Sequence, residues 1–307
     1  MLPAAPSPAA PPAKTVLAVH RPLARRHALE FAVQVLRADL ANFFMLHHRH
    51  LHGFMVTAKN SGTHWLKYML SCALAHDWGV EPPARTSGRE GDAIIGHPRW
   101  APRYSDKPRI GASHTIPSIA FALPGLRSIL RVKPTVVLVR DIRQAMLSNF
   151  LKWNYGASME EYVEGKPGGK KFIADVWWYI HFFNRWGDIA RAQSERVLVV
   201  RYEDIQADPA HWLRRVGAQY GFHLSDAAIA AGLAFTGRDA IRDRLASETD
   251  RRIVPEDEKR AAMRFQPAHL AVLEDIFRRH LRHDFGYGLH PAALAQPPGT
   301  APVPLAG

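Results

Sequence analysis

The sequence predicts an α/β domain with a central, mainly parallel sheet flanked by helices, and three observations predict it. Short apolar runs, several rich in β-branched residues, occur at 53–58 (GFMVTA), 109–113 (RIGAS), 135–140 (TVVLVR) and 196–201 (RVLVVR). Segments with apolar residues at helical spacing fall at 63–77, 142–153, 172–193, 209–221 and 267–282. The strand runs are short and bounded by helices, which suits strands buried on both faces and joined by crossovers. A chain of 307 residues can bury one sizeable core, so a single domain spanning 15–290 is expected.

The elements follow in chain order. Residues 1–14 and 291–307 are rich in Pro and Ala and poor in large apolar groups, and are expected to be disordered tails that cannot offset the entropy of ordering. Between 29 and 46, Leu29, Val33, Leu36, Leu40, Phe43 and Phe44 fall on a helical stripe, which predicts an amphipathic N-terminal helix packed on the domain. Arg25, Arg26 and the basic segment 47–50 flank it, so a peripheral membrane contact through this helix is the alternative. The segment HHRHLH, 47–52, has no carboxylate or second histidine cluster at a matching spacing. A helix end accounts for it, and no metal site is expected.

Lys and Arg outnumber Asp and Glu by 40 to 28, for a formal charge of +12, so the surface should attract phosphorylated ligands, acidic lipid or nucleic acid. The charges are scattered and no nucleic-acid reader motif occurs, so nucleic acid is not the expected partner. The single cysteine, Cys72, excludes an internal disulfide and fits buried packing in a reducing compartment. No run of about 18 uncharged apolar residues and no secretory signal pattern is present, and a cytoplasmic protein is expected.

The segment TAKNSGTHWLKYML, 57–70, runs from a strand into a helix through a small, hydroxyl-rich turn. A helix N-terminus presents unpaired backbone N–H groups and the positive end of a dipole. Gly62 lets backbone approach an anion closely, and Ser61 and Thr63 add hydroxyls. The alternative is an ordinary helix cap. A Walker A loop needs a lysine after its second glycine; here Lys59 precedes the only glycine, which disfavours a conventional ATPase.

This turn resembles the first motif of the sulfotransferases that use 3′-phosphoadenosine 5′-phosphosulfate (PAPS), approximately P-K-S-G-T-T-W-L after the first strand. Ser61, Gly62, Thr63, Trp65 and Leu66 align with it; His64 replaces the second threonine, and Asn60 stands at the family's lysine, with Lys59 one residue earlier. Three further segments match in order. TVVLVRDIRQAMLS carries Arg140 at a strand end and Ser148 eight residues on, the family's 3′-phosphate pair. Ser113-His114-Thr115-Ile116-Pro117 resembles its T-H-L-P segment, whose histidine is the general base. VLVVRYEDIQADP, 197–209, resembles its strand followed by Y-E-D, with Tyr202 as an adenine contact and Glu203 and Asp204 ordering the turn.

The resemblance implies a P-loop-NTPase-like three-layer fold and a bacterial-type or cytosolic-type sulfotransferase. It implies in-line sulfuryl transfer from PAPS to an acceptor hydroxyl, with His114 as base and Lys59 steadying the leaving phosphate, and no metal. N–H groups near Ser61 to Thr63 would hold the 5′-phosphate, Trp65 would flank the adenine, and Asn60, Gly62 and His64 belong to the same cofactor-binding turn. Past residue 222 the match thins: Phe235 is the candidate adenine-stacking aromatic, and Arg251 and Arg252 are the nearest substitutes for the family's basic 3′-phosphate loop. The aromatic segment 170–186, KKFIADVWWYIHFFNRW, reads as core at helical spacing or as the wall of an acceptor pocket. A lipidic, phenolic or carbohydrate acceptor is expected.

Overall fold

The computed structural model describes residues 13–86, 88–153, 155–234 and 264–289, with backbone alone for 13–26. The expected tails lie outside these residues, apart from Ala13 and Lys14, and so do Phe235, Arg251 and Arg252.

Five strands form one parallel sheet in the order β2-β3-β1-β4-β5: β1 (Gly53–Thr57), β2 (Ile95–Gly96), β3 (Ile110–Ser113), β4 (Thr135–Val139) and β5 (Val197–Arg201). Four of them lie where the apolar runs predict. The edge strand β2 has two residues, too few to leave a pattern in the sequence. Register sets Gly53 opposite Ile110, Phe54 opposite Thr135, and Thr135 opposite Val197. The pleat divides the core in two, because successive side chains point to opposite faces. Phe54, Val56, Val137 and Val139 join one cluster, and Met55, Val136, Leu138 and Val200 join the other.

Eleven helices are described, with a 3₁₀ turn at Ile119–Phe121. In chain order they are α1 (Ala13–Ala41), α2 (Phe44–His47), α3 (Thr63–Trp78), α4 (Gly88–Gly91), α5 (Ile142–Trp153), α6 (Met159–Val163), α7 (Val176–Ala192), α8 (Tyr202–Ala207), α9 (Pro209–Gln219), α10 (Asp226–Leu233) and α11 (Pro267–His280). Helices α3, α9 and α10 cover one sheet face; α5, α7 and α11 pack on the other. This is a three-layer P-loop-like α/β architecture. The expected cap near Asp208 is present: its carboxylate accepts from His211 N at 3.0 Å, with Pro209 at the first helical position.

The N-terminal helix departs from expectation in extent and in face. It begins at Ala13 and breaks at Asn42–Phe43, before the short α2. The part of its predicted stripe within α1 is turned outward, with Leu29 and Leu40 each 74% exposed and Val33 and Leu36 also exposed, whereas Phe43 and Phe44 pack against the core. The buried side is set instead by Phe31, which packs on Trp177 and His280 at ring distances of 5.2 and 5.8 Å. Asp39 adds an ion pair to the buried Arg185 at 2.5 Å. One large ring and a paired buried charge outweigh four aliphatic side chains in choosing the face. In α7 the core reading holds, since Trp177, Tyr179, Phe182, Phe183 and Trp186 are buried. Cys72 is buried, and burial pushes its thiol up to about 12.

Candidate active site

The turn after β1 is built on two left-handed residues, Asn60 at φ 57° and Gly62 at φ 90°. Asparagine tolerates this conformation better than most side chains, and glycine adopts it freely. Gly62 is required for space as well, since a Cβ there would lie 2.6 Å from the Tyr202 ring. Helix α3 starts at the next residue, with no side chain capping it, so its first N–H groups face the turn. The Ser61 hydroxyl does not: it is buried and donates to Ala58 O at 2.5 Å. Only the backbone N–H of Ser61 remains for an anion, whereas the sequence reading counted its hydroxyl.

The separate motifs converge on this turn. Arg140, at the end of β4, donates to Asn60 O at 3.3 Å and lays its guanidinium over the Tyr202 ring at 4.8 Å. Tyr202, directly after β5, meets Trp65 edge to face at 5.6 Å. Gly62, Trp65, Arg140 and Tyr202 therefore share one place at the carboxyl edge of the sheet, where parallel α/β domains bind ligands. Ser148 is half-buried on α5, and among the described residues no hydrogen bond joins it to Arg140. Glu203 and Asp204 order the following turn: Glu203 accepts from Tyr287 Oη at 2.5 Å, and Asp204 holds Arg201 at 2.6 and 3.0 Å.

His114 follows β3 and lies beside β1. Its Nδ1 sits 2.7 Å from Thr57 O and 3.1 Å from Thr57 Oγ1. A carbonyl oxygen only accepts, so Nδ1 carries the proton and Nε2 presents a lone pair. Thr57 Oγ1 also pairs with Thr63 Oγ1 at 2.7 Å, linking the histidine to the first residue of α3. The segment after His114 is pinned by Asn42, whose amide donates to Thr115 Oγ1 at 3.1 Å and Ile116 O at 2.8 Å, and by Trp186, whose indole donates to Thr115 O at 3.0 Å. His114 is solvent-accessible on one side. Crowding on the others lowers its pKa below the usual histidine value, through desolvation first, with the charges of Lys59 and Lys152 adding and the bond to Thr57 opposing. His64 is also held neutral: burial, then Lys67 and Lys152, lower it to about 4, and its Nδ1 donates to Thr86 O at 3.3 Å.

Lys59 points away from the turn. Its ammonium donates to Ile173 O at 2.6 Å and lies 4.6 Å from the Trp178 ring. Desolvation lowers its pKa, partly offset by Asp175. Three residues of the site escaped the sequence reading. Asn149 is fully buried; its Oδ1 accepts from Asn60 Nδ2 at 2.8 Å, and its own amide faces Tyr155 Oη, Tyr162 Oη and Ala174 O, each at 3.0 Å. Its signal was no more than an amide in α5 one residue past Ser148. Lys152, one turn further, places a charge felt by both His64 and His114. Thr57 left no signal beyond a hydroxyl at a strand end. Among the described residues no group of three or more His, Cys, Asp or Glu is arranged to hold a metal ion, and no described helix is long and apolar enough to cross a membrane.

Fold and site together define a P-loop-like α/β domain whose first strand runs through a left-handed turn into the uncapped start of α3. The model of the sulfotransferase family matches residues 1–226, and the chain belongs to that family of enzymes. Among solved structures, a mouse sulfotransferase complexed with PAP superimposes with a TM-score of 0.50 at 16% identity, over 83% of this chain and 90% of that one. A retinol dehydratase in complex with androsterone and inactive cofactor PAP gives 0.43 at 16% identity, over 66% of this chain and 69% of that one. A putative steroid sulphotransferase of Arabidopsis thaliana gives 0.41 at 22% identity, over 69% and 78%. At such identities the likeness is one of fold. No curated protein matches the chain.

Proposed function

We propose that this enzyme transfers the sulfuryl group of PAPS to an acceptor hydroxyl by direct in-line displacement, leaving adenosine 3′,5′-bisphosphate. The observation that carries this reading is the meeting of Gly62, Trp65, Arg140 and Tyr202 at the turn into α3, a short step across β1 from His114. Backbone N–H groups of residues 61–63 would hold the 5′-phosphate, and Arg140 and Ser148 the 3′-phosphate. Trp65 and Tyr202 offer aromatic faces to the adenine. Phe235, Arg251 and Arg252 keep the roles that the resemblance implies for them.

In the transfer, the acceptor oxygen forms a bond to sulfur while the bond from sulfur to the 5′-phosphate oxygen breaks, and that oxygen keeps the electron pair. His114 Nε2 would take the acceptor's proton. Charge growing on the leaving phosphate would be met by the α3 N–H groups and by Lys59, once its ammonium leaves Ile173 O. The acceptor side is apolar in this reading, because Trp178 and the exposed Ile173 stand beside Lys59. That favours a lipidic or phenolic acceptor over a free sugar. Cytoplasmic residence is kept as part of the proposal, supported by the lone buried cysteine.

The test is isothermal titration with adenosine 3′,5′-bisphosphate, with AMP, and with the Arg140→Ala variant. Binding that needs both the 3′-phosphate and Arg140 is the expected result. Equal affinity for bisphosphate and AMP would overturn it. Tight bisphosphate binding without transfer to any phenolic or lipidic hydroxyl would identify a nucleotide-binding protein that has lost the reaction, a reading favoured by the present direction of Lys59.

A further inference from the structure

We propose that the edge of the sheet opposite the active site docks on an anionic lipid bilayer. All strands are parallel, so their first residues share one edge. A basic residue stands just ahead of four of them: His52 before β1, Arg109 before β3, Lys133 two residues before β4, and Arg196 before β5. Lys133 lines two adjoining depressions on this edge, one shared with His50, Lys107 and Arg109, the other with Arg49, Arg131 and Arg196. The acids paired with these cations are Asp106, 3.2 Å from Lys107, and Glu195, 3.6 Å from Arg131. Positive charge is therefore in excess on the part of the edge ahead of β3, β4 and β5.

A basic edge alone fits any polyanion, and the adjoining loop narrows the choice. Between the 3₁₀ turn and β4, Leu123, Leu126 and Ile129 are 43%, 39% and 68% exposed. They recur every three residues in a run of tight turns, with Leu126 N on Leu123 O and Ile129 N on Leu126 O, both at 3.0 Å. All three are thus presented to solvent from one short run of turns. Arg49 donates to Ile129 O at 3.3 Å, and Arg127 and Arg131 are exposed beside the triplet. The 3₁₀ turn ahead of the loop is tied to α1, since Asp39 accepts from Ile119 N at 2.9 Å. The exposed Leu36 and Leu40 stand within a turn of that anchor. Aliphatic side chains projecting from a bed of cations suit a bilayer surface: the chains enter the acyl boundary while lipid phosphates meet the charges. A soluble polyanion would have no use for the leucines.

The experiment is co-flotation of the full chain with vesicles of phosphatidylcholine alone and of phosphatidylcholine mixed with phosphatidylserine. Binding to the mixed vesicles only, weakening as salt is added, is expected. The pair Arg131→Glu and Lys133→Glu should lower the partition coefficient by at least about tenfold, and the pair Leu126→Ser and Ile129→Ser should lower it clearly as well. Both variants should keep the parent's circular dichroism and its affinity for adenosine 3′,5′-bisphosphate, so that lost flotation is not lost fold. Absence of flotation with either vesicle would overturn the proposal. So would flotation untouched by the serine pair, which would mark the edge as a site for polyanions in solution, or equal flotation on phosphatidylcholine alone.

Discussion

At the scale of the residue, His114 carries the sharpest expectation. Its Nδ1–H is committed to Thr57 O, so only Nε2 can act as base, and only when the ring is neutral. Protonation below its pKa removes that lone pair, so kcat/KM should fall as the pH drops. Because desolvation and the nearby lysines depress the pKa, the inflection should lie below the ordinary value of 6.5, leaving the base mostly neutral at pH 7. His114→Ala should lower kcat by about 10²–10⁴-fold with the affinity for adenosine 3′,5′-bisphosphate unchanged; steady-state kinetics and titration check the two halves. The place of this histidine was legible in the sequence, because the apolar run ending at Ser113 sets it just past a strand end, where the structure has it. The directions of Ser61 and Lys59 were not. Each is decided by a carbonyl distant from, or folded back on, its own position: Ala58 O for the hydroxyl and Ile173 O for the ammonium.

At the scale of the element, the turn and α5 behave as one unit through the pair of amides Asn60 and Asn149. Asn149→Ala would leave the Asn60 amide and the Tyr162 hydroxyl short of a buried partner, a loss of about 1–3 kcal/mol. It should weaken bisphosphate binding through a displaced turn while sparing helix content; urea unfolding and titration would show both. Gly62→Ala combines a left-handed φ with a Cβ 2.6 Å from the Tyr202 ring. It should cost about 1–3 kcal/mol and abolish measurable bisphosphate binding. A variant that binds like the parent would mean that Tyr202 moves freely and does not shape the site. Strands β1, β3, β4 and β5 were readable because burial on both faces leaves little room for polar residues. The orientation of α1 was not, because periodicity finds an apolar stripe but cannot tell which face meets Trp177 and Arg185.

At the scale of the whole molecule, buried titratable groups set how stability depends on pH. His64 and His181 are each lowered to about 4 from 6.5, chiefly by desolvation. A depressed histidine contributes stability that is complete above 6.5 and is lost as the pH falls toward its native value, because the unfolded chain takes the proton first. Asp175 runs the other way. Burial raises it to about 6 from 3.8, so the native state takes its proton first and gains stability as the pH falls through that range. His64 and His181 against Asp175 leave the unfolded chain about one proton ahead near pH 5, a slope of roughly 1.4 kcal/mol per pH unit, and His114, depressed in the same direction, adds to it. The urea midpoint should therefore drop steadily between neutrality and about pH 4.5. His181→Phe should flatten that decline, and Asp175→Asn, which can still cap α7, should make it steeper. If both variants track the parent, these groups do not titrate from inside the fold, and the acid sensitivity arises from the surface carboxylates instead.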